Sequence, residues 1–242
     1  MHELWITGLF NRTLAGPANA ILNALHVPAK DPAHPWVDWL ACETLVVLFM
    51  VVLFSVLRAR LSVERPGKLQ HVMEVAYEFV AGSAEEIVGH GAAKFVPFFG
   101  TLFLFILFMN LFFMIPGIEA PTQNPAVPLG LAVVTFLFYH AAGLKAQGAG
   151  YIKQFLGPMS GLAVLMFPIE IISHFARPLS LTVRLYANMF AGEQVYLTFL
   201  SLTKVILPVI FIGLHTFVAF LQAYIFMLLA MVYVGGAVSH EH

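Results

Sequence analysis

Five stretches of the chain run almost free of charged residues, and their lengths predict what they do. A helix that crosses the ~30 Å hydrocarbon core of a bilayer needs about 20 mostly apolar residues. Trp39 to Leu57 contains only Glu43, near one end, and Phe95 to Ile118 contains no charge. Ala120 to Leu144 contains none either, with Pro121, Pro125 and Pro128 expected to make its first third a loop. The last two stretches, about Gly161 to Leu202 and Val205 to His240, are longer. At ~1.5 Å per residue the fourth would be about 60 Å long as one helix, roughly twice the hydrocarbon thickness. It is expected to tilt steeply, bend or break. Pro168 and Pro178 are the candidate bends, because proline removes a helix hydrogen bond and clashes with the preceding turn. The fifth, about 50 Å by the same arithmetic, is expected to return along it as a hairpin through a turn near Lys204 to Pro208. The pattern predicts an all-α polytopic membrane protein with about five spans, near residues 37–57, 95–116, 127–144, 161–202 and 205–236.

Between the first two spans, Leu69, Val72, Met73, Ala76, Phe79, Val80 and Ile87 recur at helical spacing opposite Glu74, Glu78, Glu85 and Glu86. That segment reads as an amphipathic connecting helix, interfacial or cytoplasmic. Residues 1–36 read as an N-terminal segment on the outer surface and 37–242 as one membrane domain. Met1 to Phe10 has no positive leading region and is interrupted by Glu3 and Asn11-Arg12, unlike a cleavable signal. Basic residues in short loops set orientation. Arg58, Arg60, Arg65 and Lys68 follow the first span, Lys94 precedes the second, and Lys145 and Lys153 follow the third. The Gly117 to Pro128 loop has no basic residue, and the last turn has only Lys204. Arg12 and Lys30 weaken the bias without reversing it. The N-terminus is expected outside and the C-terminus in the cytoplasm.

Composition sharpens the class. The 242 residues are 60% hydrophobic and 10% charged, with twelve basic and thirteen acidic side chains. Soluble domains run at about 25% charged, so this chain must present much of its surface to lipid. A net charge of −1 excludes a nucleic-acid binder. The single Cys42 permits no internal disulfide and no cysteine-based zinc cluster.

Against this apolar background the fourth stretch carries Glu170, His174, Arg177, Arg184, Asn188 and Glu193. Ionisable groups at membrane depth are costly and mark ion or substrate pathways. At ~100° per residue from Glu170, His174 falls near 40°, Arg177 near −20°, Arg184 near −40° and Asn188 near 0°, so five polar residues share one face. Glu193, near 140°, looks elsewhere. In the fifth stretch His215 and Gln222 share a face, with Tyr233 further along. The hairpin is expected to bring the two polar faces together as an aqueous or proton-conducting seam. Structural roles compete: a buried Glu170–Arg177 ion pair, a snorkelling Arg177, a satisfied interfacial His174, and Asn188 and Gln222 as interhelical glue. Arg184 resists them. It has no acidic residue three or four positions away, and a guanidinium does not escape burial by deprotonating.

The run from Arg177 to Glu193 (RPLSLTVRLYANMFAGE) resembles the signature segment of subunit a of the F-type ATP synthase, the membrane stator that faces a rotating ring of c subunits. The resemblance extends to Pro66 to Gln70, to Asn110 to Gly117 and to Leu221 to Met227, and covers nearly the whole chain from Leu61. It implies that Arg184 is the essential arginine that meets the carboxylate of each passing c subunit. It further implies that Asn188, Glu193, His215 and Gln222 line two aqueous half-channels, and that Glu170 is an acidic position on the cytoplasmic side; His174 and Arg177, which share its helix face, are expected to support the pathway. Ala187, often glycine in relatives, is a departure with no expected functional cost. The implied partners are the c ring, the peripheral-stalk b subunits, the rest of the ATP synthase, the lipid bilayer and H⁺ or Na⁺. Neither a cofactor nor a metal is expected, and no nucleotide site. A bacterial plasma membrane is the expected location. A proton-coupled secondary transporter is the alternative, disfavoured by the lack of a visible repeat or of paired interrupted helices. An intramembrane hydrolase would need a site other than the HExxH or G-x-S-x-G patterns, which are missing.

Overall fold

The computed structural model describes residues 4–24, 26, 31–89, 91–115, 118–148, 150–151, 163–203 and 206–238. The described residues form helices and no strand. Two short helices, α1 (Trp5–Thr13) and α2 (Ala15–Ala24), precede α3 (Asp38–Ala59), α4 (Lys68–Val88), α5 (Val96–Leu111) and α6 (Ala126–Gln147). The two long helices are α7 (Ala163–Leu202) and α8 (Ile206–Val238). Helices α3, α6 and α8 are long and apolar enough to cross a membrane. The apolar α5 is shorter, with 16 residues, and is extended by 3₁₀ turns at Ala92–Lys94 and Phe112–Met114.

Proline placement explains most boundaries. Pro97 and Pro128 lie in the first turns of α5 and α6, where the missing N–H has no intrahelical acceptor to serve. The loop expected to reach Pro128 therefore ends at Pro125, after a 3₁₀ turn at Pro121–Gln123. Helix α7 neither breaks nor stops at Pro168 or Pro178, and its 40 residues run as a single helix. Lys204 and Val205, in the expected hairpin turn, lie outside the described residues, as do Lys30, Lys153, Pro116 and Gly117. On either side of that turn α7 and α8 pack together.

Helix α8 is the centre of the bundle, packed against α4, α5, α6 and α7. Its buried stripe, Ala219, Ala223, Phe226, Met227, Ala230, Met231 and Val234, repeats every three or four residues. The matching stripe on α5 is Phe99, Leu102, Phe103, Ile106 and Met109. At Gly235 an added Cβ would lie 3.2 Å from the Ile87 carbonyl oxygen, so the glycine lets the end of α4 rest on α8. Helix α4 keeps Glu74, Glu78, Glu85 and Glu86 exposed and buries Val80 and Ala84. It also leaves Val72 and Val75 exposed, more apolar surface than its sequence pattern predicts. The exposed Val47, Leu48, Val51 and Val52 of α3 give the bundle an apolar outer wall suited to lipid. At its start, α3 is tied to α1: the Leu4 amide and the Thr7 hydroxyl donate to Asp38, and Asn11 exchanges two hydrogen bonds with the Trp36 backbone.

Candidate functional site: two polar clusters and an exposed arginine

Burial divides the polar residues of α7 into three groups along its length. Nearest its start, Glu170, His174 and Arg177 turn inward towards α6 and α8. His174 has a side chain only 12% exposed, its Nε2 lies 3.2 Å from Glu170 Oε1, and its Nδ1 lies 2.9 Å from the Tyr139 hydroxyl of α6. The Arg177 guanidinium stands 5.1 Å from the Tyr233 ring centroid and 5.9 Å from that of Tyr139. Among the described residues, Glu170 therefore pairs with His174, and the Glu170–Arg177 ion pair does not form. His140 and Tyr151 complete this inner cluster, with 2.7 Å between the Tyr151 hydroxyl and His140 Nδ1.

The second group faces out. Arg184 and Asn188 are exposed on a flank of α7 that no described helix covers. Among the described residues no carboxylate pairs with Arg184. The same flank is lined by small side chains, Ala176, Ser180, Ala187 and Ala191, all exposed.

Glu193 begins the third group. It sits half-buried with Glu119 and Gln123 of the α5–α6 connection nearby. His215 of α8, 4% exposed, packs against Gly192, where any added Cβ would collide with its ring. Asn110, fully buried beneath, donates to the Ala219 carbonyl at 3.3 Å and accepts the Thr122 hydroxyl at 2.7 Å.

The contacts of Gly192 with His215 and of Arg177 with Tyr233 also set the register of the antiparallel pair. Because both helices rise equally per residue, Gln222 falls level with about residues 185 to 188. It is buried there, at 8% exposure. Along the helix, Arg184 stands ~15 Å from His174 and ~13 Å from Glu193.

The expected single polar face of α7 is thus corrected. His174 and Arg184 lie about 80° apart on the helix wheel. That arc is wide enough to put His174 in the seam with α6 and Arg184 on the open flank. The two polar faces do meet, but at Gly192 and at Arg177. Several members escaped the sequence reading: Tyr139, His140 and Tyr151 inside, and Glu119, Gln123, Asn110 and Thr122 at the other end. The available signal was neutral polarity. His140 and Asn110 interrupt spans that carry no formal charge.

A family model described as ATP synthase A chain matches residues 40–235. The chain belongs to that family. It is 54% identical over 235 residues to the ATP synthase subunit a of Solibacter usitatus, covering 97% of this chain and 100% of the relative. It is 50% identical over 242 residues to that of Koribacter versatilis, covering 100% and 99%. With that of Aquifex aeolicus it shares 41% over 186 residues, 73% of this chain and 86% of the relative. As an ATP synthase A chain it is a polytopic membrane subunit of the synthase, with no catalytic site of its own. The secondary-transporter alternative falls with this membership.

Proposed function

We propose that this chain is the ion-translocating stator of its ATP synthase, with Arg184 facing the carboxylates of a rotating c ring. The observation that carries this reading is the position of Arg184: exposed on an uncovered flank, between a polar cluster at each end of the α7–α8 pair. The small side chains on that flank would let a neighbouring helix approach closely. The inner cluster around Glu170, His174 and Arg177 then serves the cytoplasmic half-channel. The cluster around Glu193 and His215 serves the outer one, with Asn188 and Gln222 near the middle.

Charge drives the cycle. A carboxylate passing within a few ångströms of Arg184 is held ionised, because a nearby opposite charge lowers a carboxyl pKa. Its proton leaves by one half-channel. Past the arginine, the carboxylate takes a proton from the other half-channel and, now neutral, can enter lipid. Arg184 also obstructs direct leakage between the two clusters. Each elementary charge that moves through 100 mV supplies ~2.3 kcal/mol, so several must pass for each ATP. The carboxylates and imidazoles in both clusters are groups that bind and release protons, which supports H⁺ over Na⁺ as the ion.

In this reading α3, α5, α6, α7 and α8 are the five crossings, in a bacterial plasma membrane, with the N-terminus outside and the C-terminus in the cytoplasm. The b subunits of the peripheral stalk hold the chain still against the ring. The test is crosslinking. In a Cys42→Ser background, Arg184→Cys is expected to crosslink to a cysteine placed beside the c-subunit carboxylate. Crosslinking to b alone, or none at any ring position, would contradict it.

A further inference from the structure

The inner cluster extends beyond Glu170 and His174. Tyr151, just past the end of α6, is 3% exposed, and its hydroxyl lies 2.7 Å from His140 Nδ1. The His140 and His174 ring centroids are 5.1 Å apart with the planes tilted by 33°. His174 in turn contacts Tyr139 through Nδ1 and Glu170 through Nε2. From the Tyr151 hydroxyl to the Glu170 carboxylate, no gap is wider than one ring-to-ring contact.

The seat of Tyr151 is built into α6. A Cβ added at Gly143 would stand 2.5 Å from the Tyr151 ring, so only glycine admits the ring at this depth. Gly148, at φ +58°, turns the chain after α6 and brings Tyr151 back under it. His140 lies one turn earlier on the same helix as Gly143, which places its Nδ1 where the hydroxyl arrives.

The chemistry of the four groups is consistent. With its proton on Nε2, His174 accepts the Tyr139 O–H at Nδ1 and donates to Glu170. In a concerted shift, a proton arriving at the Tyr139 oxygen releases that hydroxyl's own proton to Nδ1 while Nε2 gives one to Glu170, so one proton crosses and Tyr139 and His174 both end neutral. His140 likewise holds a tyrosine hydroxyl at Nδ1, that of Tyr151, and its ring lies against that of His174. Among the described residues, the charged and titratable groups of this cluster beside His140 are Tyr139 on its own helix, Tyr151 beyond it, Glu170, His174 and Arg177 on α7, and Tyr233 on α8.

We infer that His140 is a proton-transfer residue at the cytoplasmic mouth of the path, with Tyr151 as its positioning residue, feeding the His174–Glu170 pair. This rests on the stator reading above. The test is ATP-driven pumping by the whole complex in inverted vesicles, whose bath is the cytoplasmic side, read as the ratio of variant to wild-type rate at a series of bath pH values. For His140→Gln the ratio is expected near one in acid and to fall by on the order of tenfold as the bath pH rises and free protons grow scarce, as a positioned acid–base group is worth at least that much in a proton transfer. Tyr151→Phe keeps the ring on Gly143 and removes the hydroxyl, and its ratio is expected to fall over the same range by a smaller factor. A ratio of one at every pH for both variants, or a loss equal at every pH, would overturn the inference. If His140→Gln fails to assemble, Tyr151→Phe decides. An Arg184→Ala arm separates the two levels: coupled pumping there defeats the stator reading, whereas loss there with pH-independent His140 and Tyr151 variants defeats only this relay.

Discussion

Gly192 of α7 and His215 of α8 fit as socket and ring: the space a Cβ would take at 192 is occupied by the imidazole. The glycine is thus set by a neighbour 23 positions away in sequence and not by backbone conformation, since its backbone is ordinary helix. Gly192→Ala is expected to force the histidine or the helix aside, at about 1 to 3 kcal/mol as for other overpacked cores. Thermal unfolding of the purified complex in detergent should show the loss, and His215→Ala in the same chain should restore most of it. Additive effects of the two substitutions would mean that ring and socket do not interact.

A second prediction concerns Asn110, whose amide joins α5 to the Ala219 carbonyl and to Thr122. Asn110→Ala strips a partner from each of those buried groups. A cost of about 1 to 3 kcal/mol is expected for a buried polar group left unmade. A melting temperature unchanged from wild type would show that these bonds contribute nothing to stability.

Thiol chemistry tests the division between seam and open flank. Cys42 is 0% exposed and is expected to resist a water-borne maleimide until the protein unfolds. In a Cys42→Ser background, Asn188→Cys on the uncovered flank should react readily in the isolated subunit, and Gln222→Cys, 8% exposed, much more slowly. Equal rates at 188 and 222 would remove the distinction.

The limits of sequence reading here have physical causes. Helix existence was legible because stretches poor in charge declare themselves, and both ends of α3 and the C-terminal end of α7 fall within two residues of the expected stretches. That α7 continues through its two prolines as one helix was not legible, since the sequence allows tilting, bending or breaking; packing against α6 and α8 can hold a helix together where proline removes a hydrogen bond. The wheel placed Glu170, His174, Arg177, Arg184 and Asn188 on one side, yet which flank lies open depends on where α6 ends up. Charge counting found Arg184 and overlooked His140, Tyr139 and Tyr151. These groups are formally neutral, so a count of charges passes over them.

The central claim is that Arg184 couples proton flow to an opposing ring, and its substitution by alanine tests it most directly. Arg184 is exposed and pairs with no described carboxylate, so Arg184→Ala is expected to leave membrane insertion and assembly intact. ATP-driven proton pumping in inverted membrane vesicles should then be abolished. Pumping by the assembled Arg184→Ala complex at near the wild-type rate would contradict the account.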